Sequence, residues 1–113
     1  MTCTLSNWLS HLSQAVVISL VVLPSSAYGL DAQREAELIH LVRQDCGSCH
    51  GMTLNGGLGR PLLPETLKDA DSEAIAAIIL GGVPGKPMPP WSGLLSEADA
   101  VWIAKKLKEG FPQ

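Results

Sequence analysis

Two cysteines three positions apart, followed at once by a histidine, constrain this chain more than any other feature: Cys46-Gly47-Ser48-Cys49-His50. This is the pattern of covalent c-type haem attachment. Two thiols add across the two vinyl groups on one porphyrin edge. A two-residue gap lets one turn of chain present both sulfurs to that edge, and the adjacent histidine aims its imidazole at the iron. Gly47 and Ser48 are small, so the chain can lie close to the macrocycle. Three other readings are weaker. A thioredoxin-like dithiol needs a preceding strand in a βαβ setting, whereas Asp31 to Gln44 reads as a helix. A zinc site needs four N or S ligands, yet no cysteine or histidine follows His50. His40, on the upstream helix, is the sole further candidate for that site. A disulfide across two residues closes too small a loop to stabilise much.

Composition sets the compartment. The chain has 113 residues, three cysteines and a formal charge of −3, with no basic stripe for nucleic acid. Residues 1–29 lack Lys, Arg, Asp and Glu, and carry the apolar run Ala15 to Leu23, closed by Pro24 and small residues up to Gly29. This reads as a secretory signal peptide cleaved after Gly29 or Ala27. Cys3 would leave with it. The domain is then residues 30–113, exported to the periplasm with no stable membrane insertion after signal removal. Its two cysteines are both committed to haem. So small a domain buries a modest core, and a covalent haem supplies the missing apolar surface.

Along that domain, Asp31 is a candidate N-cap for the first helix. Leu38, Ile39, Leu41 and Val42 form its apolar sector, and Glu35 and Glu37 are expected to face water. Gly51 to Gly59 holds four glycines and reads as a loop. The carbonyl of Pro61 is a candidate acceptor for the Nδ1 proton of His50, as partners of metal-bound imidazoles commonly are. One helical turn is expected near Pro64. A second helix is expected over Ser72 to Leu80, capped by Asp71 and stopped by Gly81-Gly82. Ile75, Ile78 and Ile79 share one of its sides, with Ala74, Ala76 and Ala77 filling tighter spaces. The last helix is expected over Glu97 to Glu109, with a Ser96–Asp99 capping box and Gly110 as its stop.

Between the last two helices, Val83 to Trp91 holds four prolines around Met88, a stiff segment with few backbone donors. Met88 is the candidate second iron ligand, since His/Met ligation is an established arrangement for cytochromes c. Met52 sits too near His50 to cross the ring plane, and His40 would have to wrap over the haem edge. The metal ligands are then His50 and Met88. A thioether raises the potential relative to two imidazoles. Filling both axial positions leaves no open coordination site for turnover, so the protein is expected to carry electrons and not to be an enzyme.

With the Cys46–His50 clip, Pro61 after a Gly-rich loop, the Met88 loop and Trp102 on a terminal helix, the chain resembles the small class I cytochromes c over residues 31–110. The resemblance implies an all-α fold of three to four helices wrapped around one covalent haem c. Its first and last helices would cross beside the haem, with Trp102 at their contact. The family's usual glycine–aromatic pair on the first helix is absent here; Leu38, Ile39 and Leu41 occupy that region. Gly81 to Trp91 and Leu94 to Trp102 look like the short periplasmic cytochromes encoded with the haem c/haem d nitrite reductase of denitrifying bacteria. That narrower resemblance implies electron delivery to redox protein partners in denitrification, that reductase among them. The alternative it implies is an accessory role in maturation of the reductase's haem d-type cofactor. A small peroxidase or gas-binding protein is a third reading, which requires a displaceable Met88. Lys86 and Arg60 are candidates to rim the haem edge and meet acidic residues of a partner.

Overall fold

The computed structural model describes residues 29–113; the expected leader lies, but for Gly29, outside the described residues. Five α-helices follow in order: α1 (Ala32–Leu41), α2 (Gly47–His50), α3 (Pro64–Leu67), α4 (Ser72–Gly81) and α5 (Glu97–Glu109), with a π-helical turn, Val42–Cys46, joining α1 to α2. Among the described residues no helix is long and apolar enough to cross a membrane.

Asp31 caps α1 by accepting the Arg34 amide at 2.8 Å. The expected end at Gln44 is not observed. The helical chain continues through the wider π turn, where the Gly47 amide reaches back to the Val42 carbonyl, and includes the whole Cys-x-x-Cys-His segment. A π turn changes the phase of the residues after it, and such turns recur at functional sites. Here the run leaves Val42 fully buried, with Cys46 and Cys49 half-buried on the inner side.

The loop after α2 is fastened by Leu54. Its backbone lies in the left-handed region at φ 60°, an unfavourable conformation for leucine. Burial of the side chain offsets that strain by about 2 kcal/mol, since Leu54 is in the core. A bond from the Leu62 amide to the Leu54 carbonyl (2.9 Å) closes the loop. Asp71 occupies the N-cap position of α4 but makes no side-chain cap bond. Within α4, Ile75 and Ala76 are buried; Ala74 and Ala77, expected to fill tight spaces, are exposed.

Helix α5 runs over the predicted residues and starts with the predicted capping box. It packs most extensively on α4, contributing Ile103, Ala104 and Leu107 to the core beside Leu38 and Val42. Polar contacts add to its link with α1. Arg34 grips Asp99 with two hydrogen bonds, Nε to Oδ1 at 3.1 Å and Nη2 to Oδ2 at 2.9 Å. The Trp102 indole donates to Glu35 Oε1 at 3.1 Å. Glu35 therefore does not face water as expected: an indole N–H needs an acceptor when partly buried, and Glu35 supplies one across the helix crossing. The tail folds back so that Phe111 is buried edge-on against Trp102, while Arg43 holds the Pro112 carbonyl at 3.1 Å.

Candidate haem site

The inner faces of these elements enclose a cavity of about 830 Å³. Cys46, Cys49, His50 and Met88 all line it, though Met88 is 38 residues beyond His50 in the chain. Its walls are mainly apolar, from Val42, Leu62, Leu67, Ile75, Ile79, Ile103 and Leu107, with Trp91 closing one side. Asp45, Arg60, Asp69 and Lys86 are the charged residues that line it. The two thiols are free. Burial, with the neighbouring Asp45 carboxylate adding to it, pushes the Cys46 thiol up to about 11.

His50 is held from behind. Its Nδ1 donates to the backbone carbonyl of Arg60 at 2.7 Å, which leaves Nε2 free to bind a metal. The expected acceptor was the Pro61 carbonyl, and the structure corrects this by one residue. The Gly59 amide bonds the Cys49 carbonyl at 2.7 Å. That contact brings the loop across the imidazole early, so the peptide after Gly59 meets the ring. Pro61 instead packs its ring on Gly56 and directs its carbonyl at the Thr66 hydroxyl, 3.0 Å away. Pro61 is not among the cavity residues. It closes the loop that carries the acceptor.

Gly59 was not singled out in the sequence, where it is one glycine of four. A Cβ at this position would lie 2.6 Å from both Nδ1 and Cε1 of His50, far inside contact distance. Gly59→Ala is thus expected to tilt the ring off the Arg60 carbonyl and change the surroundings of the haem. A backbone or side-chain displacement of this kind costs about 1–3 kcal/mol. The check is the ferric and ferrous absorption spectrum with a reduction potential; an unchanged potential would show that the loop absorbs the methyl group.

Met88 is presented on the proline segment, which is pinned internally by the antiparallel bridge Val83–Met88. His40 is exposed and does not line the cavity, and neither does Met52, which is 61% exposed. Among the described residues no three His, Cys, Asp or Glu side chains gather as a metal cluster, so the zinc reading finds no ligand set there. The residues present do fit a haem. Two thiols stand on one wall, an oriented imidazole stands next to them, a thioether reaches the same space, and the walls are apolar.

Comparison with known proteins agrees. Residues 33–105 match the family described as Cytochrome C oxidase, cbb3-type, subunit III. The chain is 56% identical over 80 residues to cytochrome c55X of Pseudomonas aeruginosa, spanning 71% of this chain and 67% of that protein. It is 56% identical over 77 residues to cytochrome c55X of Paracoccus denitrificans, spanning 68% and 75%. Among solved structures it superposes on the c-type cytochrome NirC with a TM-score of 0.71 at 54% identity, covering 73% of this chain and 96% of that one. It also matches a part of dihydro-heme d1 dehydrogenase NirN, in complex with DHE, with a TM-score of 0.59 at 35% identity, covering 66% of this chain but 16% of that one. The sequence, the cavity and these relatives lead to one conclusion: this chain, with one haem c attached through Cys46 and Cys49, belongs to the cytochrome c55X family of small c-type cytochromes.

Proposed function

We propose that His50 and Met88 would bind the haem iron, and that the protein delivers single electrons to the haem c/haem d nitrite reductase of denitrification. Convergence of both side chains with Cys46 and Cys49 on one cavity is the observation that carries this reading. When bound, the haem supplies one-electron exchange between ferrous and ferric iron. The polypeptide does the rest. Cys46 and Cys49 hold the edge. The Arg60 carbonyl fixes the His50 ring, and the Met88 thioether favours the ferrous state. The apolar walls keep the charge change out of water, which limits the reorganisation each electron transfer requires.

The protein is an electron carrier and not an enzyme, and it works in the periplasm. Residues 1–29 are the export signal in this reading, cleaved after Gly29 or Ala27. Around the cavity, Leu58 is 89% exposed on the glycine loop, and Arg60 and Lys86 are exposed. An apolar contact flanked by two cations suits an acidic docking face on the reductase.

Stopped-flow mixing of the ferrous protein with the purified reductase tests the partner. Rapid reoxidation that slows as salt is raised is the expected result. No reoxidation, with the reductase active toward another donor, would exclude it. Similarity to dihydro-heme d1 dehydrogenase favours a second reading, service in maturation of the haem d-type cofactor. In that case a deletion strain would accumulate reductase lacking mature haem d, whereas an electron carrier alone leaves cofactor content normal.

A further inference from the structure

We infer that Gly82 is the positioning residue that seats Met88, and so decides whether the sixth coordination position stays closed. This rests on the reading that Met88 ligates the iron.

The segment from Val83 to Pro90 cannot hold itself in place. Pro84, Pro87, Pro89 and Pro90 have no amide hydrogen to donate, and the bonds within it run from the Val83 amide to the Met88 carbonyl (3.0 Å) and from the Lys86 amide to the Val83 carbonyl (3.1 Å). Its two ends are instead fastened to the C-terminus of α4. On one side the chain leaves directly from Gly82. On the other, the Trp91 amide reaches the carbonyls of Ile79 (3.1 Å) and Leu80 (3.2 Å), and the Ser92 amide reaches that of Leu80 (3.3 Å). The last carbonyls of a helix lack partners within it, and here the methionine strap supplies them.

Between those fastenings the peptides on either side of Pro89 rest on Gly82. A Cβ there would stand 2.6 Å from the Met88 carbonyl oxygen and 2.7 Å from Pro89 C and Pro90 N. These are backbone atoms, bracketed by proline rings, so they cannot swing aside as a flexible side chain would. Gly82 also has φ +66° and ψ −170°, a region that L side chains avoid. Any side chain at position 82 must therefore lift the backbone that carries Met88. Gly81, one residue earlier, is helical and has nothing within 4 Å of its Cβ position.

That pair makes a matched experiment on the haem-loaded protein. Gly82→Ala is expected to reduce the near-infrared band of oxidised His/Met iron, to lower the reduction potential, and to speed carbon monoxide binding to the ferrous form by roughly tenfold or more. Gly81→Ala is expected to leave all three unchanged. Pro89→Gly, which frees the strap without a clash, should shift them in the same direction as Gly82→Ala, and stands in should that variant fail to accumulate. Met88→Leu separates the two levels of the argument. If it abolishes the band while Gly82→Ala and Pro89→Gly leave band and carbon monoxide binding at wild-type values, the role of Gly82 is refuted and ligation stands. If Met88→Leu leaves the band intact, ligation by Met88 falls and this inference falls with it. A lower melting temperature in Gly82→Ala without any spectral change means a merely structural glycine, and also overturns the proposal.

Discussion

A haem-free preparation, made by replacing Cys46 and Cys49 with alanine in a host that does not load the cofactor, is expected to lose most of its helical circular dichroism and its cooperative melting. The reason is where the cavity lies. Val42, Leu67, Ile75, Ile103 and Leu107 line it and are also buried core residues, so the cavity wall and the hydrophobic core are largely the same side chains. Without the haem these apolar walls, enclosing about 830 Å³, are left facing water instead of a partner surface, and the whole stability of a small domain is only roughly 5–15 kcal/mol. Among the described residues nothing else staples the fold: both cysteines are committed to the haem, and the sheet content is one isolated bridge. A haem-free chain with near-native ellipticity and a sharp transition would show that the helices pack without the cofactor.

Asp99→Ala is the second large effect, expected to cost about 1–2 kcal/mol in the loaded protein through the lost helix cap and a partly exposed ion pair. Asp99 is 4% exposed. It accepts two bonds from Arg34 and one from the Ser96 amide, so one side chain both joins α1 to α5 and caps α5. Its removal leaves a partly buried guanidinium short of a partner. The same pair makes stability depend on pH. The hydrogen bonds from Arg34 above all, helped by Ser96 and opposed by burial, hold the Asp99 carboxyl down to about 2 from its usual 3.8. The folded state therefore binds this proton less readily than the unfolded chain. The contribution is complete above about pH 4 and is lost as pH falls through about 2. Urea midpoints for wild type and Asp99→Asn should thus differ most near neutrality and converge in acid. Curves that stay parallel from pH 7 to pH 2 would show that the ion pair contributes nothing to folding.

Much of the site was legible because its signals are local or covalent. Cys46, Cys49 and His50 form one contiguous turn, and the thioether chemistry dictates their spacing. Met88 stands out as a candidate because four prolines brace it, and bracing is visible without a fold. The capping box at Ser96 and Asp99 and the stop at Gly110 are likewise read within four residues of each other or of the helix end. Other expectations failed for equally specific reasons. Gln44 looked like a helix end because nothing in Val42–Cys46 announces a π turn. Glu35 looked solvent-facing because the indole that claims it is 67 residues away. Ala74 and Ala77 looked like packing residues because alanine fits either a tight contact or open water.

By itself, then, the sequence determined the cofactor, its points of attachment, the helical class and the chemistry of both candidate iron ligands, since these depend on residue type and short spacing. Tertiary structure alone decided how the ligands are held. That the Arg60 carbonyl and not that of Pro61 meets His50, that Gly59 lies against its ring, and that Gly82 lies against the backbone of Met88 are set by how segments come together on folding. Glycines and carbonyls look alike at every position in a sequence, and only their placement in space distinguishes them.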